Sequence, residues 1–161
     1  AEKIRGAGIW NFEGGKIPKN FRLRYQVTDG KAIDLDLTIS ADGDIIQTLF
    51  KFDPKIGLSR SVNRKSVGHL SRRQINQLIT SLEAATFSAF TFSELEKNDG
   101  CTDSPGMIEK RTHISVRINR VEQMYASLYD SCNVLPDTRA AQFEKAGLAI
   151  KNLLRKARVL R

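Results

Sequence analysis

Between residues 21 and 52 apolar and polar side chains alternate with period two, the repeat of strands with one buried face. Phe21, Leu23, Tyr25 and Val27 take one side and Arg22, Arg24 and Gln26 the other; Ile33, Leu35, Leu37 and Ile39 then alternate with Asp34, Asp36 and Thr38. Strands over 21–28 and 33–40 follow, joined by a three-residue loop around Asp29-Gly30-Lys31 with a glycine bulge. That loop sets Arg24 opposite Asp36 as a cross-strand ion pair. Asp42-Gly43 is the signature of a two-residue type I′ hairpin and predicts a third strand over 45–52. In the resulting register Ile39 lies opposite Ile46, Leu37 opposite Thr48, Leu35 opposite Phe50 and Ile33 opposite Phe52. Leu35 and Phe50 are then buried neighbours, while Asp36 and Lys51 face outward.

After Asp53-Pro54 the alternation lapses into an irregular basic stretch. A helix over 71–86 comes next, because Ser71 can cap it, Gln74 completes a capping box, and Leu70 with Ile75 has the spacing of a hydrophobic staple. Its apolar stripe, Ile75, Leu78, Ile79 and Leu82, should cover the three strands. Phe87, Phe90 and Phe92 are assigned to the core, where phenylalanine usually resides. Period two returns with Ile114, Val116 and Ile118 between His113, Ser115 and Arg117, and with Met124, Ala126 and Leu128 between Tyr125, Ser127 and Tyr129. These make a hairpin of strands 112–119 and 122–129, bending at Asn119-Arg120-Val121. Leu135-Pro136-Asp137 opens a final helix over 138–156 that buries Ala140, Phe143, Ala146, Gly147, Ile150, Leu153 and Leu154. The expected fold is α+β: a mainly antiparallel five-stranded sheet with two helices packed on one face, in the order βββαββα. Residues 21–161 form this one domain, and 1–20 an N-terminal arm held by Ile9, Trp10 and Phe12.

Size is consistent with one core, since 161 residues bury roughly two-thirds of their unfolded surface. The longest apolar runs fall far short of the roughly 20 residues of a membrane span. Two cysteines, Cys101 and Cys132, lie in polar turn-like sequence at the open end of the second hairpin. Such a pair reads as a disulfide, which persists in an oxidising compartment. The chain opens Ala1-Glu2-Lys3, as it would after removal of a signal peptide or after simple trimming. A periplasmic or secreted protein is the expectation.

The net charge of +8 is unevenly spread. From Pro54 through Leu82 there is no Asp or Glu, against Lys55, Arg60, Arg64, Lys65, Arg72 and Arg73, and the C-terminal stretch is also basic. Glu83 to Asp103 is the acidic counterweight. Arg60, Arg64, Lys65, Arg72 and Arg73 are therefore candidate anion-binding residues, a solvated surface being the bland alternative.

Other chemistry finds little support. His69, His113, Cys101 and Cys132 do not form the close chelating pairs of structural zinc sites. A hydrolase would need His113 or His69 beside a carboxylate and a nucleophile; Ser104 and Asp103 are near His113 in sequence, but no serine sits in a glycine-framed elbow. Asp34 and Asp36 share a strand face, and pairing with Arg22 and Arg24 is the economical reading. Phosphate-loop and dinucleotide fingerprints are absent. Nucleic acid is disfavoured as a partner, because the basic stretch lacks interleaved aromatics and no recognition motif is present.

The Asp42-Gly43 turn, Leu70-Ser71 to Gln74, Leu78-Ile79, the run Leu82-Glu83-Ala84-Ala85-Thr86-Phe87, and Thr102-Asp103-Ser104-Pro105 ahead of a hairpin together resemble a group of bacterial exported domains of unknown function. The resemblance spans roughly residues 33 to 155. It implies export and a sheet with packed helices, and carries no activity. The function expected is a non-enzymatic exported bacterial accessory or binding module whose basic surface meets an anionic partner: an envelope polymer, a lipid headgroup or a protein. The alternative is a small periplasmic hydrolase or a protein inhibitor. No metal or cofactor is expected.

Overall fold

Seven strands form one mixed sheet in the computed structural model, which describes residues 17–102, 109–118 and 122–161. The strands are β1 (Arg22–Asp29), β2 (Ala32–Ser40), β3 (Asp44–Asp53), β4 (Leu58–His69), β5 (Ser93–Glu94), β6 (Lys110–Ile118) and β7 (Glu122–Tyr129). The spatial order is β4-β3-β2-β1-β6-β7-β5, antiparallel throughout except where β5 joins β7 in parallel. Helices α1 (Arg72–Ala84) and α2 (Arg139–Lys156) complete the domain. The α+β class is as expected, but five strands become seven and the order becomes ββββαβββα. The asparagine-led bend at 119–121, and most of the proposed N-terminal arm, lie outside the described residues.

Both helices bury their apolar stripes in a single core. Ile75, Leu78, Ile79 and Leu82 of α1 meet Phe143, Ile150 and Leu154 of α2 in a cluster with Leu23, Tyr25, Leu37, Ile39, Ile114 and Val116, the side chains of one sheet face. Ser71 caps α1: its Oγ accepts the Gln74 N–H at 3.1 Å, and Gln74 Oε1 accepts the Ser71 N–H at 2.9 Å. Phe87 and Phe90 join this core in an edge-to-face pair with centroids 5.2 Å apart. Phe92 does not; it is 71% exposed on a left-handed backbone turn, φ +50°, which directs it out of the core that its apolar character had suggested.

The first two registers differ from expectation in instructive ways. Asp29 pairs with Ala32, so only Gly30 and Lys31 form the turn, and the extra residue moves into the ladder as a bulge at Asp34. Arg24 therefore stands opposite Thr38, and Gln26 opposite Asp36. In the second hairpin the Asp42 carboxylate accepts both the Ser40 hydroxyl at 2.7 Å and the Asp44 N–H at 3.0 Å, which holds its pKa below the usual carboxylate range. This side-chain turn makes the loop three residues long, Ala41-Asp42-Gly43, closed by Gly43 N–H donating to Ser40 O at 2.9 Å. Ile39 then pairs with Ile45, not Ile46. A one-residue slip exchanges the two faces of a strand. Ile45 enters the core, while Phe52 emerges 43% exposed. Leu35 and Phe50 are only half-buried, and Asp36, expected outside, is 1% exposed.

β4 is the largest departure. The stretch read as irregular is a twelve-residue edge strand, paired with β3 from Asp44↔His69 to Asp53↔Leu58 with two bulges, at Val62 and Val67. It bonds along one edge and, apart from Val67 and Gly68 near its end, packs against little, so its residues carry no burial period to be read.

Candidate functional site

Beyond Gln47, where its pairing with β2 ends, β3 has β4 as its ladder partner. The outer half of this β3–β4 ribbon is where the basic stretch resides, with the β1–β2 turn beside it, since Ser59 Oγ donates to Lys31 O at 3.0 Å. Cross-strand pairing places Lys51 directly opposite Arg60, Gln47 opposite Lys65 and Thr48 opposite Arg64. Arg60 and Lys65 thus share the face of Ile45, whereas Arg64 lies on the other. Like charges directly opposed across a ladder repel, and Lys51 and Arg60, both exposed, are such a pair. Asp53 is the only acid between residues 45 and 82; its carboxylate is 3.8 Å from Arg60 Nε and accepts the Lys55 N–H at 2.9 Å. Arg72 and Arg73 sit in the first turn of α1, beyond the opposite end of β4. At about 3.3 Å per residue they are roughly 35 Å from the Pro54–Gly57 turn. The five candidate cations are therefore strung along one edge of the molecule instead of gathered in a single pocket.

A second polar constellation covers the sheet face opposite the helices. Asp36, Gln26, His113 and Ser127 form one row across four strands. The buried Asp36 carboxylate accepts from Arg24 Nε at 3.1 Å and Gln26 Nε2 at 2.9 Å, and the Arg24 Nη2 group also bonds it. The Arg24 and Asp36 pair expected from sequence thus forms, reached diagonally. His113 Nε2 lies 2.9 Å from Thr28 Oγ1, and its Nδ1 lies 2.7 Å from the Tyr125 hydroxyl. Burial chiefly, then the nearby Arg111 guanidinium, pushes the His113 pKa down, with Glu94 opposing and Arg24 adding to the effect. A neutral imidazole held between two hydroxyls results. Its ring stacks on Tyr125 with centroids 6.0 Å apart, and Phe92 lies against the same tyrosine at 6.3 Å.

His69 Nδ1 is 3.9 Å from Asp44 Oδ1, beyond hydrogen-bond reach and with both side chains exposed. Ser104 and Asp103 fall outside the described residues. Among the described residues no three His, Cys, Asp or Glu side chains are grouped to hold a metal ion. Cys101 and Cys132 stand at disulfide distance, 2.06 Å between sulfurs. A cleft of about 470 Å³ opens between α2 and the end of β7 and is lined by Thr112, Asp130, Cys132, Glu144, Leu148 and Lys151 among others. It mixes both charges and contains no histidine. The sequence reading missed the row through His113, because it needs β1 paired with β6, a contact no local pattern encodes; it missed Phe52 as a surface group because of the register slip, and Leu58 because the edge strand that holds it was read as irregular. No protein-family model matches the chain, and no curated protein or solved structure matches it.

Proposed function

We propose that the protein is a non-enzymatic, exported binding module that engages an anionic partner through the β3–β4 ribbon. The observation that carries this reading is the opposition of Lys51 and Arg60 across the ladder, with Arg64 and Lys65 farther along the same edge strand and Asp53 the one carboxylate between residues 45 and 82. An anion laid along the ribbon relieves the repulsion that the fold itself sets up. The cysteine pair supports export, since disulfides persist in oxidising compartments. A binding role is further supported by the two histidines. His113 is bonded to hydroxyls and His69 is solvated, so among the described residues neither stands in the carboxylate-oriented arrangement that a hydrolase of the serine type uses.

The test compares two charge-reversed triple variants at equal net charge: Arg60, Arg64 and Lys65 to Glu, against the scattered exposed residues Lys19, Lys97 and Lys145 to Glu. On a sulfated-dextran column the first variant should elute at much lower salt than the second. Exposed charges are screened within about 8 Å at physiological ionic strength, so retention by the wild type should fall steeply as salt rises. Indistinguishable elution of the two variants would reduce the basic ribbon to a solubility feature.

A further inference from the structure

The outer end of the β3–β4 ribbon is apolar on both of its faces. Phe52, paired with Ser59, and Leu58, paired with Asp53, alternate to opposite sides, yet they are 43% and 59% exposed; Ile56, in the turn between them, is 48% exposed. A groove on a folded partner covers one face of a ribbon. A medium that surrounds the tip accommodates all three side chains together.

Cations surround this tip and outnumber Asp53, whose carboxylate lies 3.8 Å from Arg60 Nε. Lys51 and Arg60 stand one ladder step behind Phe52 and Ser59, and Lys55 belongs to the turn. The Lys31 ammonium lies 3.9 Å from the position a Cβ on Gly57 would take. From the Lys51 and Arg60 pair to the end of the turn is two strand steps and the turn itself, about 7–10 Å at a rise of about 3.3 Å per residue. Amphipathic elements lying in a membrane interface bury their apolar groups about 5–10 Å deep, so the match leaves Lys51 and Arg60 level with the headgroups.

We propose that the ribbon tip docks on a bilayer surface rich in anionic lipid, inserting Phe52, Ile56 and Leu58 while Lys31, Lys51, Lys55 and Arg60 contact headgroup phosphates. This rests on the ribbon reading above and names its partner. A second copy of the chain fits less well: edge-to-edge pairing through β4 brings Arg60, Arg64 and Lys65 against their own kind across a strand interrupted by two bulges, features that keep edges apart.

Co-sedimentation with vesicles tests the proposal, using equimolar phosphatidylcholine and phosphatidylglycerol against phosphatidylcholine alone. The wild type should bind the anionic vesicles and not the zwitterionic ones. The variant Phe52→Ser/Ile56→Ser/Leu58→Ser should lose at least tenfold in vesicle affinity while keeping its melting temperature and its elution salt on sulfated dextran. Lys51→Glu/Lys55→Glu/Arg60→Glu should lose both vesicle and polyanion binding. Polyanion retention of the wild type without vesicle binding, or vesicle binding indifferent to the tip substitutions, would overturn the lipid inference and leave the anionic-partner reading standing; a wild type that neither binds vesicles nor is retained on the polyanion would remove both. Preferential binding of duplex DNA through the same tip residues, or a dimer that the tip substitutions dissolve, would also overturn it.

Discussion

His113 shows how a residue acquires its chemistry from neighbours distant in sequence. Alternation alone assigns it to the face away from the core, where a solvated imidazole has a pKa near 6.5. Pairing of β1 with β6 brings Thr28 to one ring nitrogen, and pairing of β6 with β7 brings Tyr125 to the other. Partial burial and the facing guanidinium of Arg111 then favour the neutral form. The consequence for stability has a definite sign. Below about pH 6.5 the unfolded chain binds a proton that the folded one refuses, so stability falls as pH drops through that value and levels off only below the lowered folded-state pKa. Melting temperatures measured from pH 8 to pH 5 should therefore decline more steeply for the wild type than for His113→Gln. Parallel curves would mean that the imidazole titrates as it does in the unfolded chain. Gly43 makes the complementary point about backbone. At φ +94° it adopts a conformation that glycine alone takes readily, and a Cβ there would lie 2.0 Å from Leu70 O. The same residue accepts the Leu70 N–H at 2.8 Å, which ties the β2–β3 turn to the start of α1.

Helices proved more legible than strands at the scale of elements. The reach of a capping box is three residues, so Ser71 and Gln74 announce the start of α1 without help from the rest of the fold. Replacing Ser71 by alanine should cost about 1 kcal/mol, read as a lower urea midpoint at unchanged slope; a midpoint equal to the wild type would show that Gln74 and water satisfy the helix end without the hydroxyl. Strand ladders depend on smaller differences. The Asp42-Gly43 pair signals a turn, but whether it holds two residues or three is decided by the Asp42 carboxylate, which captures both Ser40 and Asp44. That choice moved Ile45 inward and released Phe52 to the surface. An edge strand is the least legible element, since β4 is exposed along nearly its whole length and shows no apolar alternation.

The molecule as a whole is closed by the segment that flanks the second hairpin. Cys101 and Cys132, 31 residues apart in sequence with Cα atoms 5.2 Å apart, are joined also by the main chain: Thr102 N–H donates to Asn133 O at 3.0 Å and Leu135 N–H to Gly100 O at 2.9 Å. Intact mass with and without reductant should differ by two hydrogens. Reduction should cost up to about 3–4 kcal/mol from the loop entropy released to the unfolded chain, less whatever the hairpin already restrains. Identical masses would show free thiols and weaken the case for an oxidising compartment. By itself the sequence determined what short-range physics can encode: the α+β class, the two helices with their apolar stripes and the cap of the first, the half-buried central strands, and a basic segment almost empty of acid. Tertiary structure decided the order β4-β3-β2-β1-β6-β7-β5, the burial of Asp36 beneath Arg24 and Gln26, and the union of Thr28, His113 and Tyr125. It also decided that the basic segment is an edge ribbon with an apolar tip. These depend on strand pairings between distant residues and on a one-residue choice of register, where local propensities are nearly balanced and the summed burial of the core selects the outcome.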